Sequence, residues 1–293
     1  IGGAADKVFA VFAGGGNNGG DAFAAARHLM NMGARVKLFF TGAEERLGEA
    51  ARAMHDALRA MGVEIRPLVS DRDWDRLRVS LRFADAVVDG ILGTGAHGEL
   101  RKNILRLVEE INTAGKPVLA IDIPSGVEAD TGRIASAAVC ADRTLALGLP
   151  KVGHLLGQGA NATGQLLVDA IGIPHALLAG EALRQSLITQ EAAAKLLPAR
   201  PRDAHKGTCG RILVVAGALG MTGAAVEAAL RIGAGLVTLA VPERLYPVLA
   251  AKLTEVMVVP IPDEGMGYFG GVKALEAVLA CAAHQDAVLI GPG

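Results

Sequence analysis

Residues 8–29 read VFAVFAGGGNNGGDAFAAARHL, which predicts a buried strand, a glycine-rich loop and the start of a helix. The apolar run Val8–Ala13 suits a strand of a parallel sheet, and Asp21–Met32 repeats apolar residues at helical spacing. A loop of small residues before a helix can hold phosphate, because the first amides of the helix have no partner within it. The stretch therefore predicts an α/β fold with a possible anion site at its first loop.

The loop GGGNNGGD (residues 14–21) matches the dinucleotide fingerprint GxGxxG only in form. That fingerprint also needs an acidic residue after the second strand, and here Leu38–Thr41 is followed by no carboxylate before Glu44. A Walker loop is excluded, because Gly-Lys-Ser/Thr is absent. Asp21 could cap the helix and the asparagines could occupy left-handed turns, but the uninterrupted Asn-Asn-Gly-Gly-Asp run favours binding.

Strand and helix patterns alternate after this stretch. Further strands are predicted at Arg35–Phe40, Val63–Val69, Ala86–Leu92, Val118–Ile123, Arg143–Leu147 and Gln165–Ala170, and further helices at Glu44–Met61 and Glu99–Ala114. Repeated strand–helix–strand units give a mostly parallel sheet with helices on both faces. We therefore predict a three-layer, Rossmann-like α/β domain over residues 1–183.

The alternation of predicted strands and helices is interrupted after residue 174 and begins again further along the chain. Residues 188–207 contain a helical start, prolines and mixed charge, which is typical of a linker, and residues 210–242 read strand, glycine loop, helix and strand. A second α/β domain is therefore predicted over residues 188–293. The chain starts at Ile1 rather than Met and stops at a strand and a glycine turn, so we expect a fragment that lacks an N-terminal segment and truncates the second domain.

Carboxylates follow two of the predicted strands. Asp89 lies in DAVVDGILGTG and Asp122 lies in VLAIDIPSG. Because the carboxyl ends of parallel strands share one edge of a sheet, we expect these loops to converge with the glycine loop near the switch in strand order. A carboxylate there is costly unless it is hydrogen-bonded, metal-bound or catalytic, so each Asp could tie down its loop or transfer protons.

Oxygen atoms at the same edge could also bind a cation. The side chains of Asn18, Asp89 and Ser125 would suit a hard cation, although they do not choose among Na⁺, K⁺ and Mg²⁺. His97, in the loop GTGAHGE, could act as a base or lie on the surface without a role.

Composition disfavours other classes of protein. A net charge of −1 does not indicate the basic surface of a nucleic-acid-binding protein. The longest uncharged apolar run, Ile212–Val226, is too short to span a bilayer. No signal peptide is visible. Cys140, Cys209 and Cys281 lack metal-ligand spacing, and we interpret them as small buried hydrophobic residues in a reducing compartment. A cytoplasmic protein without a membrane or nucleic-acid partner is expected.

Five ordered motifs in residues 8–175 closely resemble those of the NAD(P)H-hydrate epimerases. They are GGGNNGGDAFAAARHL, DAVVDGILGTGAHGEL, VLAIDIPSGVEADTG, TLALGLPKVGHLLG and GQLLVDAIGIP. From about Ile188, HKGTCGRILVVAGALGMTGAAVEAALRIGAGLVTLAVP and the closing IGPG resemble the start of the ribokinase-like, ADP- or ATP-dependent NAD(P)H-hydrate dehydratases. The resemblance implies a repair enzyme that epimerises the R and S hydrates NADHX and NADPHX and dehydrates the S form.

The same resemblance implies residue roles. Asp122 would be the catalytic acid/base, and Asn18, Asp89 and Ser125 would ligate K⁺. The residues expected to bind substrate are Asn17, Asn18, Gly19, Gly20, Asp21, Gly93, Thr94, Gly95, Ala96, His97, Gly98, Glu99 and Asp122 in the first domain, and Ala224 and Gly293 in the second. ADP or ATP with Mg²⁺ would serve the dehydratase domain when complete, and a homo-oligomer is expected.

The chain departs from the family pattern in places. The family loop begins Gly-Pro-Gly and continues Gly-Asp-Gly, whereas this chain has Gly14-Gly15-Gly16 and Asp21-Ala22-Phe23. Ala22 adds only a methyl group, so we expect binding to survive. The nucleotide-binding motifs and the catalytic Gly-Asp of the dehydratases are not in the chain, so we expect no dehydration by these residues alone.

Two alternatives stay open at this point. One is a non-catalytic binding scaffold with an epimerase-like fold, which the retained Asp89 and Asp122 disfavour. The other is a small-molecule kinase of the ribokinase-like type, which the visible part of the second domain does not decide.

Overall fold

The computed structural model describes residues 3–178, 183, 185–217 and 221–291. The chain divides into two compact units, Ile1–Ser186 and Leu187–Gly293, each with its own sheet. Every pair of neighbouring strands in both sheets is parallel. Within the described ranges, no helix is both long and apolar enough to cross a membrane.

The first unit is a doubly wound sheet between two helical layers. Its strands are β1 (Val8–Ala13), β2 (Arg35–Phe40), β3 (Ile65–Pro67), β4 (Ala86–Gly90), β5 (Val118–Ile121), β6 (Arg143–Leu147) and β7 (Gln165–Asp169). Its α-helices are α1 (Asn17–Asn31), α2 (Glu49–Ala60), α3 (Asp71–Phe83), α4 (Lys102–Thr113), α5 (Gly157–Thr163) and α6 (His175–Leu178), with 3₁₀ turns at Glu44–Arg46 and Val152–His154. The seven strands lie in the order β3-β2-β1-β4-β5-β6-β7, which confirms the predicted Rossmann-like sheet.

Alternate residues of β1 supply the cores on the two faces of the sheet. Phe12 lies in one buried cluster with Leu77 of α3 and Leu107 of α4. Val11 lies in a second cluster with Phe23 of α1. Because successive side chains of a strand point to opposite faces, this pattern produces three layers.

Two predicted helices differ at their starts. α1 begins at Asn17 rather than at Asp21, and its N-cap is Gly16, which makes no side-chain cap. The interpretation of Asp21 as a cap is therefore wrong, and so is that of the asparagines as left-handed turn residues, because neither has a positive φ. The helix predicted over Glu44–Met61 is interrupted, because Gly48 is extended (φ −64°, ψ 162°) and begins α2 after a separate 3₁₀ turn.

The sequence prediction omits α3 entirely. Its apolar side is narrow, since Trp74, Leu77 and Leu81 are its buried apolar residues in a run rich in Arg and Asp. The available signal is the Ser-x-x-Asp pattern of a capping box. Asp73 indeed accepts hydrogen bonds from the N–H of Ser70 at 2.9 Å and from its Oγ at 2.7 Å.

The strand order reverses between β1 and β4, and the glycine loop packs tightly at that switch point. A Cβ on Gly14 would lie 1.7 Å from the carbonyl oxygen of Ile91, and a Cβ on Gly19 would lie 1.8 Å from the carbonyl oxygen of Gly14. Of the described residues, none would lie within 4 Å of a Cβ on Gly16. Gly14 and Gly19 are therefore needed for close backbone packing, whereas Gly16 borders the open side of the crevice in which such sheets bind ligands.

The second unit has a four-stranded parallel sheet in the order β10-β9-β8-β11. Its strands are β8 (Arg211–Val215), β9 (Leu236–Pro242), β10 (Met257–Ile261) and β11 (Ala287–Ile290). Its α-helices are α7 (Gln190–Leu196), α8 (Met221–Ile232), α9 (Tyr246–Lys252) and α10 (Gly271–Ala282), with a 3₁₀ turn at Glu243–Leu245. This parallel arrangement fits the predicted second α/β domain.

The cysteine prediction needs correction. Cys140 is exposed, and Cys209 and Cys281 are half-buried free thiols, so the interpretation of all three as buried hydrophobic residues is wrong. Cys140 lies in the irregular segment before β6, where its backbone N–H donates to Asn112 Oδ1 at 2.9 Å. That segment runs over the surface and leaves the thiol outside the core.

Candidate functional site

Asn18 joins the three loops that the sequence predicts at one edge of the sheet. Its Nδ2 donates to the carbonyl oxygens of Leu92 at 2.7 Å and Ile121 at 3.1 Å. Leu92 follows β4 and Ile121 ends β5, so the first turn of α1 is tied to both neighbouring strand ends. The predicted convergence is confirmed, and it lies at the switch in strand order.

Asp89 and Ser125 form a buried pair in the same cluster. Ser125 donates to Asp89 through Oγ at 2.6 Å and through N–H at 2.8 Å, and Ile91 N–H donates at 3.1 Å. Burial raises the pKa of Asp89, and these hydrogen bonds act in the opposite direction. Because Ser125 Oγ also accepts from Leu92 N–H at 2.9 Å, the pair ties the loops after β4 and β5 together.

The amide oxygen of Asn18 has no hydrogen-bond partner in the part of the chain that the structure describes. Both neighbours of Nδ2 are carbonyl oxygens, which only accept, so the orientation of the amide is determined by its contacts. Oδ1 is buried and accepts no hydrogen bond from the described residues, a rare state for a buried acceptor. This oxygen is therefore available to a ligand.

The oxygens around Asn18 are of the type that binds hard cations. Asn18 Oδ1 and Ser125 Oγ are neutral, and the carboxylate of Asp89 is the one charged donor of the predicted set. Across the described ranges, no group of three or more His, Cys, Asp or Glu side chains comes together as a metal site. Asn18 and Ser125 both bind the backbone of Leu92, and Ser125 binds Asp89, so the three predicted ligands belong to one hydrogen-bonded cluster.

Asp122 occupies a strained turn at the end of β5. Its φ is 64°, and Ile123 N–H donates to the carbonyl oxygen of Ile121 at 2.8 Å, closing a three-residue γ-turn of the rare positive-φ type. Such backbone conformations cost about 1–3 kcal/mol and concentrate at functional sites. The side chain remains 15% exposed, so its carboxylate reaches the crevice.

Two side chains that the sequence prediction missed hold Asp122 in place. Lys151 Nζ donates to Asp122 Oδ1, and Leu147 N–H reaches the same oxygen at 3.3 Å. His154 Nε2 lies 2.8 Å from the Asp122 carbonyl oxygen. Lys151 and His154 lie in the motif TLALGLPKVGHLLG, where a Lys just beyond a strand end was the available signal.

Asp21 and the start of α1 border the same crevice. Partial burial raises the pKa of Asp21, and the negative charge of Asp122 raises it further, so the two carboxylates lie within electrostatic reach of each other. The amides of Asn17, Asn18 and Gly19 have no partner inside the helix, because they precede its first hydrogen bond. An acidic group therefore lies beside a helix start whose free amides could hold an anion.

The loop Gly93–Glu99 is anchored at both ends. A Cβ on Gly93 would lie 3.1 Å from the Cβ of Asn18, and Gly98 N–H donates to Glu128 Oε1 at 3.3 Å. Between these anchors Thr94, Gly95 and His97 are exposed and Ala96 is half-buried, and Glu99 is exposed just beyond them. The loop thus runs from the switch point across the end of β5, with an outer surface open to solvent.

The Glu128 anchor predicts an acid-dependent stability. Hydrogen bonds from Arg133, Thr131 and Gly98 lower the pKa of Glu128 from 4.5 to about 2. This carboxylate therefore stabilises the folded state above pH 4.5, and its contribution is lost as the pH falls from 4.5 to about 2. Glu128→Gln should flatten the dependence of unfolding free energy on pH in that window, measured by urea denaturation.

The exposed Glu109 of α4 provides a matched control, because Glu109→Gln should leave the acid limb unchanged. An unfolding free energy of Glu128→Gln that falls with acid as steeply as that of the unsubstituted protein would contradict the proposed anchor.

The two remaining predicted site residues belong to the second unit. Ala224 is exposed in the first turn of α8. Gly293 lies outside the described residues.

Comparison with known families identifies the first part of the chain. The family described as YjeF-related protein N-terminus matches residues 3–153. This range includes the glycine loop, both strand-end carboxylates and Lys151.

Curated relatives align with nearly the whole chain. Proteins named bifunctional NAD(P)H-hydrate repair enzyme Nnr are similar to it: that of Moorella thermoacetica at 40% identity over 99% of this chain and 55% of that protein, that of Thermofilum pendens at 36% over 97% and 54%, and that of Escherichia coli at 35% over 97% and 52%. The chain spans about half the length of these relatives. A crystal structure of yeast ynu0, YNL200c, is similar with a TM-score of 0.49 and 26% identity over 58% of this chain and 69% of that chain.

Proposed function

The chain belongs to the family described as YjeF-related protein N-terminus, and from that premise we propose that its first unit interconverts the R and S epimers of NADHX and NADPHX. This proposal rests on the side chain of Asp122. The protein holds its Oδ1, whereas Oδ2 accepts no hydrogen bond from the described residues. The names of relatives at 35% to 40% identity support the substrate class.

The two ends of the hydrated nucleotide suit different parts of the crevice. The diphosphate would lie at the start of α1, where the free amides and the positive end of the helix dipole favour an anion. Gly20 would act indirectly, since its N–H already donates to the Gly16 carbonyl oxygen, and a Cβ placed on it would lie 3.0 Å from the Cα of Ala51 in α2. The loop Gly93–Glu99 would cover the nucleotide, and the hydrated ring would reach Asp122.

Proton transfer by Asp122 accounts for epimerisation. The reacting carbon carries a hydroxyl group and is bonded to the ring nitrogen. Oδ2 would take the hydroxyl proton while the carbon–nitrogen bond breaks, leaving an aldehyde and an electron pair on the nitrogen, which then receives that proton. Rotation presents the other aldehyde face, and the reverse transfers close the ring with opposite configuration. Lys151 suits this role, because it holds Oδ1 and leaves Oδ2 without a hydrogen-bond partner among the described residues.

A bound K⁺ would supply a fixed positive charge beside the crevice. We propose that Asn18, Asp89 and Ser125 hold it, and the orphaned Asn18 Oδ1 supports this assignment. Because a ligand of the folded state stabilises it, K⁺ at ~100 times its Kd should add about 2.7 kcal/mol to the unfolding free energy. The measurement is the Tm in K⁺ compared with tetramethylammonium at equal ionic strength.

The K⁺ response should vanish in Asn18→Ala, whatever the Tm of that variant. A matched substitution at the exposed Asn31, Asn31→Ala, should retain the response of the unsubstituted protein. Equal Tm values for the unsubstituted protein in K⁺ and tetramethylammonium would contradict the proposed cation site.

The second unit extends the proposal to the whole protein. We propose that it belongs to an ADP- or ATP-dependent dehydratase that uses Mg²⁺ and converts the S hydrate to NAD(P)H, with Ala224 and Gly293 near the substrate. The names of the relatives support this pairing of activities. Homo-oligomerisation and a cytoplasmic location stay predictions.

The direct test is to incubate the protein with one purified epimer and to follow the other by chromatography. Appearance of the second epimer well ahead of the uncatalysed rate supports the proposal, and an unchanged rate opposes it. Neither the binding scaffold nor the kinase gains support from the names of the relatives.

A further inference from the structure

The segment Leu147–His154 holds Asp122 from the end of β6. Lys151 Nζ donates both to Asp122 Oδ1 and, at 2.8 Å, to the Leu147 carbonyl oxygen. His154 Nε2 lies 2.8 Å from the backbone carbonyl oxygen of Asp122. One segment therefore contacts both the side chain and the strained backbone of the residue.

The tautomer of His154 follows from its partners. Nδ1 lies 2.9 Å from the backbone nitrogen of Lys151, whose N–H can only donate, and Nε2 faces the Asp122 carbonyl oxygen, which can only accept. The ring proton therefore resides on Nε2. Burial lowers the pKa of His154 below its usual 6.5, which keeps the ring neutral at pH 7.

We propose that Lys151 and His154 are positioning residues for Asp122 in the epimerisation, an inference that rests on the proposed function. His154 holds the positive-φ turn and Lys151 occupies Oδ1, so that Oδ2 alone faces the reacting hydroxyl group. A displacement of about 1 Å at a reacting group can cost roughly 10²-fold in rate. Loss of either contact should therefore lower kcat more than it raises KM.

Charge also distinguishes Lys151 from a purely structural side chain. Among the described residues, the charged groups facing Asp122 are Asp21 of α1 and Lys151 of the segment after β6, while His154 is neutral. Asp21 and Asp122 repel each other, and the ammonium of Lys151 offsets that repulsion. A neutral side chain of similar length cannot do this.

The first test removes the charge of Lys151 and keeps the length of its side chain. Lys151→Met should lower kcat for epimer interconversion by about 10²-fold and change KM by less than about threefold. Lys116→Met is the matched control, because Lys116 is half-buried like Lys151, and its Nζ also donates to a backbone carbonyl oxygen, that of Arg82 at 2.9 Å. Its kinetic constants should match those of the unsubstituted protein.

Chemical rescue separates charge from packing. Added ethylamine should restore part of the kcat of Lys151→Ala and leave Lys116→Ala unchanged. His154→Leu should lower kcat by about tenfold or more with little change in KM. His55→Leu, at a histidine that is likewise 2% exposed, should not lower kcat. A kcat of Lys151→Met close to that of the unsubstituted protein, or a loss in Lys151→Ala that ethylamine does not relieve, would overturn the proposal.

A measurement that needs no catalysis tests the positioning of Asp122 independently of the proposed function. ¹⁵N NMR of the unsubstituted protein should show His154 neutral at pH 7 with its proton on Nε2. A charged ring or a proton on Nδ1 would overturn the positioning geometry, even if the protein turned over no hydrate. Failure of the unsubstituted protein to interconvert epimers, with this NMR signature present, would instead reject the proposed function alone.

Discussion

Asp122→Asn will lower kcat for epimer interconversion by about 10²- to 10⁴-fold, the range that a positioned acid or base contributes. Asn keeps the shape of Asp and still presents an oxygen to Lys151, but it cannot carry the proton between hydroxyl group and ring nitrogen. The measurement is the steady-state rate from a single purified epimer, with substrate varied to separate kcat from KM.

The fold should tolerate this substitution. Asp122 has a φ of 64°, and Asn is among the residues that adopt positive φ most readily. Thermal denaturation should therefore give a Tm near that of the unsubstituted protein. A loss of rate would then come from the missing acid/base group and not from unfolding. A folded Asp122→Asn variant with undiminished epimerisation would remove Asp122 from its proposed role.

Gly14→Ala will destabilise the first unit by about 3 kcal/mol or more, at the upper end of overpacking effects. The new Cβ would lie 1.7 Å from the carbonyl oxygen of Ile91, so the backbone of β1 or of the loop after β4 must shift. In a unit of this size that loss lowers Tm by roughly 6–12 °C. Since Asn18 bridges the same loops, activity should fall as well.

Gly16→Ala is the matched control in the same loop. Gly16 has a φ of −99°, and a Cβ there would have no atom of the described ranges within 4 Å. Replacing Gly by Ala at this N-cap should cost about 1 kcal/mol or less, because Ala is a poorer N-cap residue than Gly. Equal stability of Gly14→Ala and Gly16→Ala in urea denaturation would show that the close contact of Gly14 with Ile91 does not govern packing at the switch point.

The sheet and the convergence of its loops could be predicted from sequence, because both depend on local patterns. Apolar runs such as Val8–Ala13 predict buried parallel strands, and their order along the chain predicts that Asp89 and Asp122 end at one edge. Asn18 and Ser125 could be predicted as neighbours for the same reason. Their contacts with Leu92 and Asp89 then follow from the fold.

The parts that sequence did not predict depend on non-local packing. Lys151 lies 29 residues from Asp122 and His154 lies 32 residues from it, and their contacts exist only because the segment after β6 folds back over β5. The start of α1 was also misplaced, because Asn and Gly are weak helix formers and tertiary contacts of Asn18 override that preference. No local sequence pattern predicts the positive φ of Asp122.

The most direct test of the account starts from each pure epimer of NADHX in turn, with catalytic amounts of the protein and K⁺ present. Both samples should reach the same ratio of R to S epimers far sooner than samples without protein, and no NADH should form while ADP and ATP are absent. Samples that approach this ratio no faster than buffer alone would contradict it.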